Sequence, residues 1–200
     1  MEKFSARNAL YDLFSIAPQL KKVLKEKPEF EPLISFIHSK DFYDDEEIPY
    51  PRLKEVEKEL GVKTHTLRNL IKNLHEYILD QEKPYLQFKK TNIVFHLSYL
   101  DRRFQFSLHN LPVLPRVGES FEISFTNAKM DCRQYYVDHI YHVLELDTQK
   151  IIIILKDGKF NTYLKFRKDK ANTLKELHFK EWFLDDWAFE QKLQKGELNP

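Results

Sequence analysis

Between residues 64 and 79, side chains able to bond bases and phosphates fall on one side of a helical repeat. At 3.6 residues per turn Leu67, Leu70, Ile71, Leu74 and Ile78 form an apolar stripe, and burying it aims His65, Arg68, Asn69, Lys72, Asn73 and Glu76 outward. Arg68 can donate two hydrogen bonds to guanine, Asn69 or Asn73 can pair with adenine in the same bidentate way, and Lys72 can neutralise a phosphate. The face has a plainer alternative use, because Arg68, Lys72 and Glu76 also form a solvated ladder of i,i+4 pairs. Two later turns carry the basic pairs Lys89 with Lys90 and Arg102 with Arg103.

Other residue types that could do chemistry lack partners at a useful spacing. His139 and His142 fall on a predicted strand, where an odd separation sends them to opposite faces and prevents shared chelation of a metal. Cys132 lies between Asp131 and Arg133 with no histidine nearby in sequence, so it reads as a bystander thiol. Asp157-Gly158-Lys159 reads as a hairpin turn, since no carboxylates are spaced to join it in a nuclease-like site. Four glycines, Gly61, Gly118, Gly158 and Gly196, are too scattered to build a phosphate-cradling loop. No catalysis and no cofactor are expected.

The elements that position these residues follow from periodicity. Residues 5–25 repeat at helical spacing with a break at Pro18, and residues 32–39 form a second short helix. Residues 40–50 are acidic, and Pro49-Tyr50-Pro51 turns them into an extended linker. Residues 52–60 and 64–79 are then helical, separated by Gly61-Val62-Lys63. After Asp80 the period changes to two. Residues 85–88, 93–98 and 103–109 read as strands with turns at 89–92 and 99–102, and Phe95 and Leu97 face Phe104, Phe106 and Leu108. Residues 111–115 form a proline-bounded connector. Residues 120–125, 135–146, 151–155 and 159–166 read as four antiparallel strands, the last two joined at Asp157-Gly158. Thr173-x-x-Glu176 reads as a capping box that opens an aromatic-rich helix containing Trp182, Trp187 and Phe189.

Within residues 53–71 each apolar residue and the single glycine has a geometric task. Val56 and Leu60 face the second helix, Gly61 takes the left-handed conformation that ends the first, Val62 plugs the turn, and Leu67 and Leu70 pack back. This stretch resembles the helix-turn-helix of many bacterial transcriptional regulators, and the basic turns that follow resemble the wing of the winged-helix branch. The resemblance covers at most residues 32–109. It implies contacts to double-stranded DNA through Thr64, His65, Arg68, Asn69, Lys72 and Asn73, and through Lys89 and Lys90, or Arg102 and Arg103 if the other hairpin is the wing, with Thr64 also capping the second helix. One position departs from the family pattern: four residues before the glycine, where a small residue is usual, stands Glu57, whose carboxylate must swing outward or splay the helices.

Composition bounds these readings. The chain has 200 residues, 42% hydrophobic and 32% charged, which is the make-up of an ordinary globular protein. Its longest apolar run, residues 151–155, is far short of the ~20 residues of a membrane span, and residues 1–5 carry no secretory pattern. A lone cysteine excludes an intrachain disulfide. A cytoplasmic location is expected. The net charge is only +1; residues 1–50 hold 7 Lys/Arg against 10 Asp/Glu, whereas residues 51–103 hold 11 against 7. Any DNA binding must therefore use a local patch.

The expectation is an α+β protein in two parts. Residues 1–110 would form a winged-helix-like helical region with its core at 51–109, and residues 111–200 a small antiparallel sheet or partly open barrel with a C-terminal helix. Sequence-specific DNA binding and transcriptional regulation, as a homodimer paired through the second part, is the leading reading. The alternative is a protein-protein interaction module on a winged-helix scaffold, which Glu55, Glu57 and Glu59 would favour over a continuous basic face.

Overall fold

Residue Ile16 separates the first two helices, because Pro18 lies in the opening turn of the second and cannot continue the hydrogen-bond ladder of the first. The computed structural model describes residues 4–80, 85–179, 181, 184 and 186–196. Its helices are α1 (Ala6–Ser15), α2 (Ala17–Val23), α3 (Glu31–Ile37), α4 (Leu53–Leu60), α5 (Thr64–Ile78), α6 (Asn127–Met130), α7 (Thr162–Thr173) and α8 (Asp186–Lys195). The strands are β1 (Lys90–Tyr99), β2 (Arg102–Leu108), β3 (Ser120–Glu122), β4 (Gln134–Glu145) and β5 (Thr148–Asp157). The chain is α+β: helices first, then the sheet, then further helices. No described helix is long and apolar enough to cross a membrane.

The chain divides into two compact units that alternate along it. The first comprises Met1–Ile93, Ser107–Asn110 and His142–Ile151, the second Val94–Phe106, Leu111–Tyr141 and Ile152–Pro200. In the first, α1 to α5 enclose one core around Leu10, Leu13, Phe14, Leu33, Val56, Leu67, Ile71 and Leu74. Residues 40–50 have no regular structure, yet they do more than link. Phe42 is buried against Phe14 and Phe36, with ring centroids 4.9 and 5.5 Å away. The Tyr43 hydroxyl donates to Glu145 Oε2 at 3.2 Å, and burial together with that carboxylate pushes the phenol up to about 12. The β4–β5 turn is fastened to the α1–α2 junction: Leu146 N–H donates to Ser15 O at 2.6 Å, and the buried Gln19 amide donates to Leu146 O.

The strands form one open sheet in the order β2-β1-β5-β4-β3. β3 pairs antiparallel with β4, Ser120 opposite Tyr136. β1 and β5 run in the same direction, since Lys89 and Lys90 bond Asp147 O at one end while Ser98 Oγ donates to Leu155 O at the other. The sheet is therefore mixed, where the sequence pointed to a wing hairpin within residues 85–109 and a separate small antiparallel sheet or partly open barrel from residues 120–166. Residues 85–89 are irregular, and the turn expected at 89–92 is the start of β1, drawn out by the pairing with Asp147. The turn at Leu100 is present, with a left-handed φ of 53°.

Three expectations in the C-terminal part are corrected. Residues 159–166 are not a strand: Asn161 Oδ1 accepts from Leu164 N–H at 3.0 Å and opens α7, leaving Tyr163 and Phe166 68% and 64% exposed. Asp157-Gly158 consequently ends β5 and leads to a helix, so it makes no hairpin. Thr173 closes α7 where a capping box was expected to open a helix. Its hydroxyl donates back to Asp169 O at 2.9 Å, left-handed Lys175 terminates the turn, and Glu176 pairs with Arg167 at 2.6 Å. Trp182 and Phe183 lie outside the described residues; Phe189 is buried on α8, whereas Trp187 is exposed.

Candidate nucleic-acid interface

The first unit builds its outward helix from a three-residue turn. α4 ends at Gly61, whose φ of 63° and ψ of 26° place it in the left-handed region, and the Gly61 and Val62 amides both reach Glu57 O. Lys63 is extended and precedes α5, whose N-terminus has no side-chain cap. Thr64 is instead engaged across the turn, its hydroxyl donating to Glu57 Oε2 at 3.0 Å. This bond explains how Glu57 is tolerated: the carboxylate swings out from the helix pair and ties the last turn of α4 to the first residue of α5. An added Cβ at Gly61 would meet no atom within 4 Å, so the position is demanding through its φ alone. Gly61→Val should cost ~1–2 kcal/mol and Gly61→Asn clearly less, as read from urea melts of the three proteins; equal stabilities would refute the left-handed turn.

Burial then orients α5. Leu67, Ile71, Leu74 and Ile78 are buried and Leu70 is half-buried against the same core. The C-terminal half is pinned from behind, with His75 Nε2 3.3 Å from Asp12 of α1 and the Tyr77 hydroxyl donating to Glu26 at 2.9 Å. His65, Arg68, Asn69, Lys72, Asn73 and Glu76 are all exposed, as the stripe required. His65 and Asn69 lie 3.2 Å apart, and Lys72 Nζ is 3.7 Å from Glu76. Among the described residues, Arg68 and Asn73 form no side-chain hydrogen bond or ion pair, so their donors are open to a ligand. The face is mixed in charge: α4 exposes Lys54 and Lys58 beside Glu55 and Glu59.

The later cations are divided between the units. Lys89 and Lys90 belong to the first, with α5, and Arg102 and Arg103 to the second. Lys90 Nζ is 2.9 Å from Asp147 Oδ2 and holds that carboxyl below its ordinary range, so its charge is already engaged. Arg102 and Arg103 open β2 and are exposed.

The second unit holds a charged group that sequence reasoning missed. Asp138 on β4 lies 3.0 Å from Lys156 of β5 and also pairs with Lys165 of α7; Lys165 is in turn 3.9 Å from Asp186, which accepts from the Tyr136 hydroxyl at 3.1 Å. Burial pushes the Asp138 carboxyl up, but the two ammonium groups outweigh it and hold the group below the usual carboxylate range. Burial, reinforced by the Asp186 and Asp138 carboxylates, raises the Tyr136 phenol. A signal was available: Asp138 follows the apolar run Tyr135-Tyr136-Val137, and Lys156 follows the apolar run 151–155. Next to this group is a cavity of about 450 Å³ lined by Tyr136, Lys156, Asp157, Lys159, Asn161 and Trp187. His139 and His142 are both exposed, and no cluster of three metal-ligating groups occurs among the described residues. Cys132 Sγ lies 3.3 Å from Gln134 O.

No family model matches the chain, no curated protein matches it, and no solved structure matches it.

Proposed function

We propose that α4, the turn at Gly61 and α5 form a helix-turn-helix that binds double-stranded DNA, with α5 in the major groove, and that the protein regulates transcription. The observation carrying this reading is the left-handed Gly61, followed by a helix whose buried stripe leaves Arg68, Asn69, Lys72 and Asn73 exposed. Arg68 and Asn73 supply the base-reading donors, and Lys72, once released from Glu76, a phosphate contact. The chemistry is binding, with no catalytic step, in the cytoplasm. Because the local charge supports only a few phosphate contacts, one copy binds weakly at physiological salt. A homodimer presenting two α5 helices about 34 Å apart to a two-fold symmetric site multiplies that affinity.

Anisotropy titration of labelled duplexes at two salt concentrations tests the proposal, the preferred site being selected first from genomic fragments. Arg68→Ala should cost ~1–3 kcal/mol on the preferred site and little elsewhere, whereas Lys72→Ala should weaken all duplexes and lower the salt slope by about one. If no duplex pool binds at low salt, or if both variants bind like the parent protein, the DNA reading is wrong. The second reading is then a protein interaction module, which the alternating Lys54, Glu55, Lys58 and Glu59 and the Glu57–Thr64 bond favour.

A further inference from the structure

The second unit contains a row of phenyl rings with cations around it that duplex recognition by α5 leaves unused. Alternation along β2 puts Arg102, Phe104 and Phe106 on one face of the strand. Phe106 lies flat on buried Phe95 of β1, centroids 4.9 Å apart and planes within 7°, and Phe104 is 6.2 Å further along. Phe125, in the short 3-10 turn Ser124–Thr126, meets Phe106 edge-on at 5.2 Å and is 74% exposed. Lys129 of α6 holds its ammonium 4.8 Å from the Phe104 ring centre.

Cations outnumber acids in the two segments that carry the rings. The hairpin of residues 94–106 and residues 124–130 carry Arg102, Arg103 and Lys129 against the single acid Asp101. Among the described residues none of these three cations has an ion-pair partner. β2 is also an edge strand, so the chain beside it is open to solvent. An exposed ring beside half-buried ones marks a contact surface, and rings interleaved with unpaired cations fit one occupant best. Unpaired bases have faces that stack on phenyl rings, and their phosphates lie within reach of flanking cations; a paired duplex hides those faces.

We propose that this face binds single-stranded nucleic acid, with bases stacking at Phe125 and Phe104 and the phosphate backbone drawn to Arg102 and Lys129. Recognition is tolerant of sequence, because every base presents a π-face, and it is independent of the duplex contacts assigned to α5.

The test uses the full chain and labelled oligonucleotides: a 20-mer of deoxythymidine, a 20-mer of uridine and a DNA duplex of equal length, each titrated by anisotropy at several salt concentrations. Phe125→Ala removes a ring that buries little, so the fold should hold, as unchanged tryptophan emission would verify. It should weaken binding of the single strands about fivefold or more and leave the duplex unaffected. Arg102→Ala and Lys129→Ala should each weaken the single strands and reduce their salt slope by about 0.7. Arg68→Ala should not change single-strand binding, which separates failure of this proposal from failure of the duplex reading. Tighter binding of one 20-mer over the other identifies DNA or RNA as the natural strand, and either preference supports the proposal. It is overturned if neither 20-mer binds at low salt, if Phe125→Ala and Arg102→Ala bind like the parent, or if Phe125→Ala alters sedimentation instead, which would make the face a contact between copies.

Discussion

Asp138→Ala should destabilise the second unit by about 3 kcal/mol at pH 7, with most of the loss disappearing in acid. The Asp138 side chain is only 12% exposed, and removing it leaves Lys156 without its ion-pair partner and Lys165 with only Asp186, 3.9 Å away. Breaking a buried pair from one side costs ~3–5 kcal/mol, and the lower end applies because both lysines keep some water. The sign of the pH effect follows from the depressed carboxyl. Its contribution is fully present above the unfolded value near 3.8 and is lost as pH falls through the lower folded value. The gap between parent and variant should thus be constant from pH 7 to about 5 and shrink below 3.8. Trp187 lies on α8 in the second unit, so loss of ellipticity is read beside tryptophan emission during urea unfolding. Identical midpoints at pH 7, or an undiminished gap at pH 3, would exclude a stabilising role for this carboxylate.

Leu67→Ala should cost about 3 kcal/mol in the first unit. Leu67 is completely buried on α5, and truncating it loses transfer energy and leaves a cavity that the surrounding helices fill only in part. Leu70, one turn away on the edge of the same stripe, is half-buried, so Leu70→Ala should cost roughly half as much. Far-UV circular dichroism in urea gives both values. Were Leu70→Ala the more damaging, α5 would be rotated about its axis, and Arg68 and Lys72 would no longer point outward.

The helix pair was legible in the sequence because everything that makes it is local. A glycine ends α4, a 3.6-residue repeat sets the buried face of α5, and both act within twenty residues. The partner of Glu57 was not legible, since its bond to Thr64 requires the two helices to be already placed. Farther along, long-range pairing overrides local pattern. Lys89-Lys90-Thr91-Asn92 has the composition of a turn, but Asp147, more than fifty residues later, draws its start into β1. Phe160, Tyr163, Leu164 and Phe166 suggest a strand, yet Asn161 caps a helix there, with the rings of Tyr163 and Phe166 left in solvent. The Asp138 group was overlooked because Lys156, Lys165 and Asp186 come from β5, α7 and α8, none near Asp138 in sequence. The phenyl row was half visible: Phe95 facing Phe106 followed from strand alternation, but Phe125 and Lys129 join it only through the fold.

The alternation of the two units along the chain also sets an order of events during synthesis. A ribosome makes the chain from its N-terminus, and α1 to α5 are complete by residue 78. Their unit still awaits residues 142–151, which bring the Leu146 amide to Ser15 and the Leu146 carbonyl to Gln19. By then most of β4 has been made, although it belongs to the other unit. At typical elongation rates of ~5–20 residues per second, the gap between residues 78 and 146 lasts several seconds, long compared with helix formation. During that interval the Ser15 carbonyl and the Gln19 amide at the α1–α2 junction of the nascent helices have water in place of Leu146.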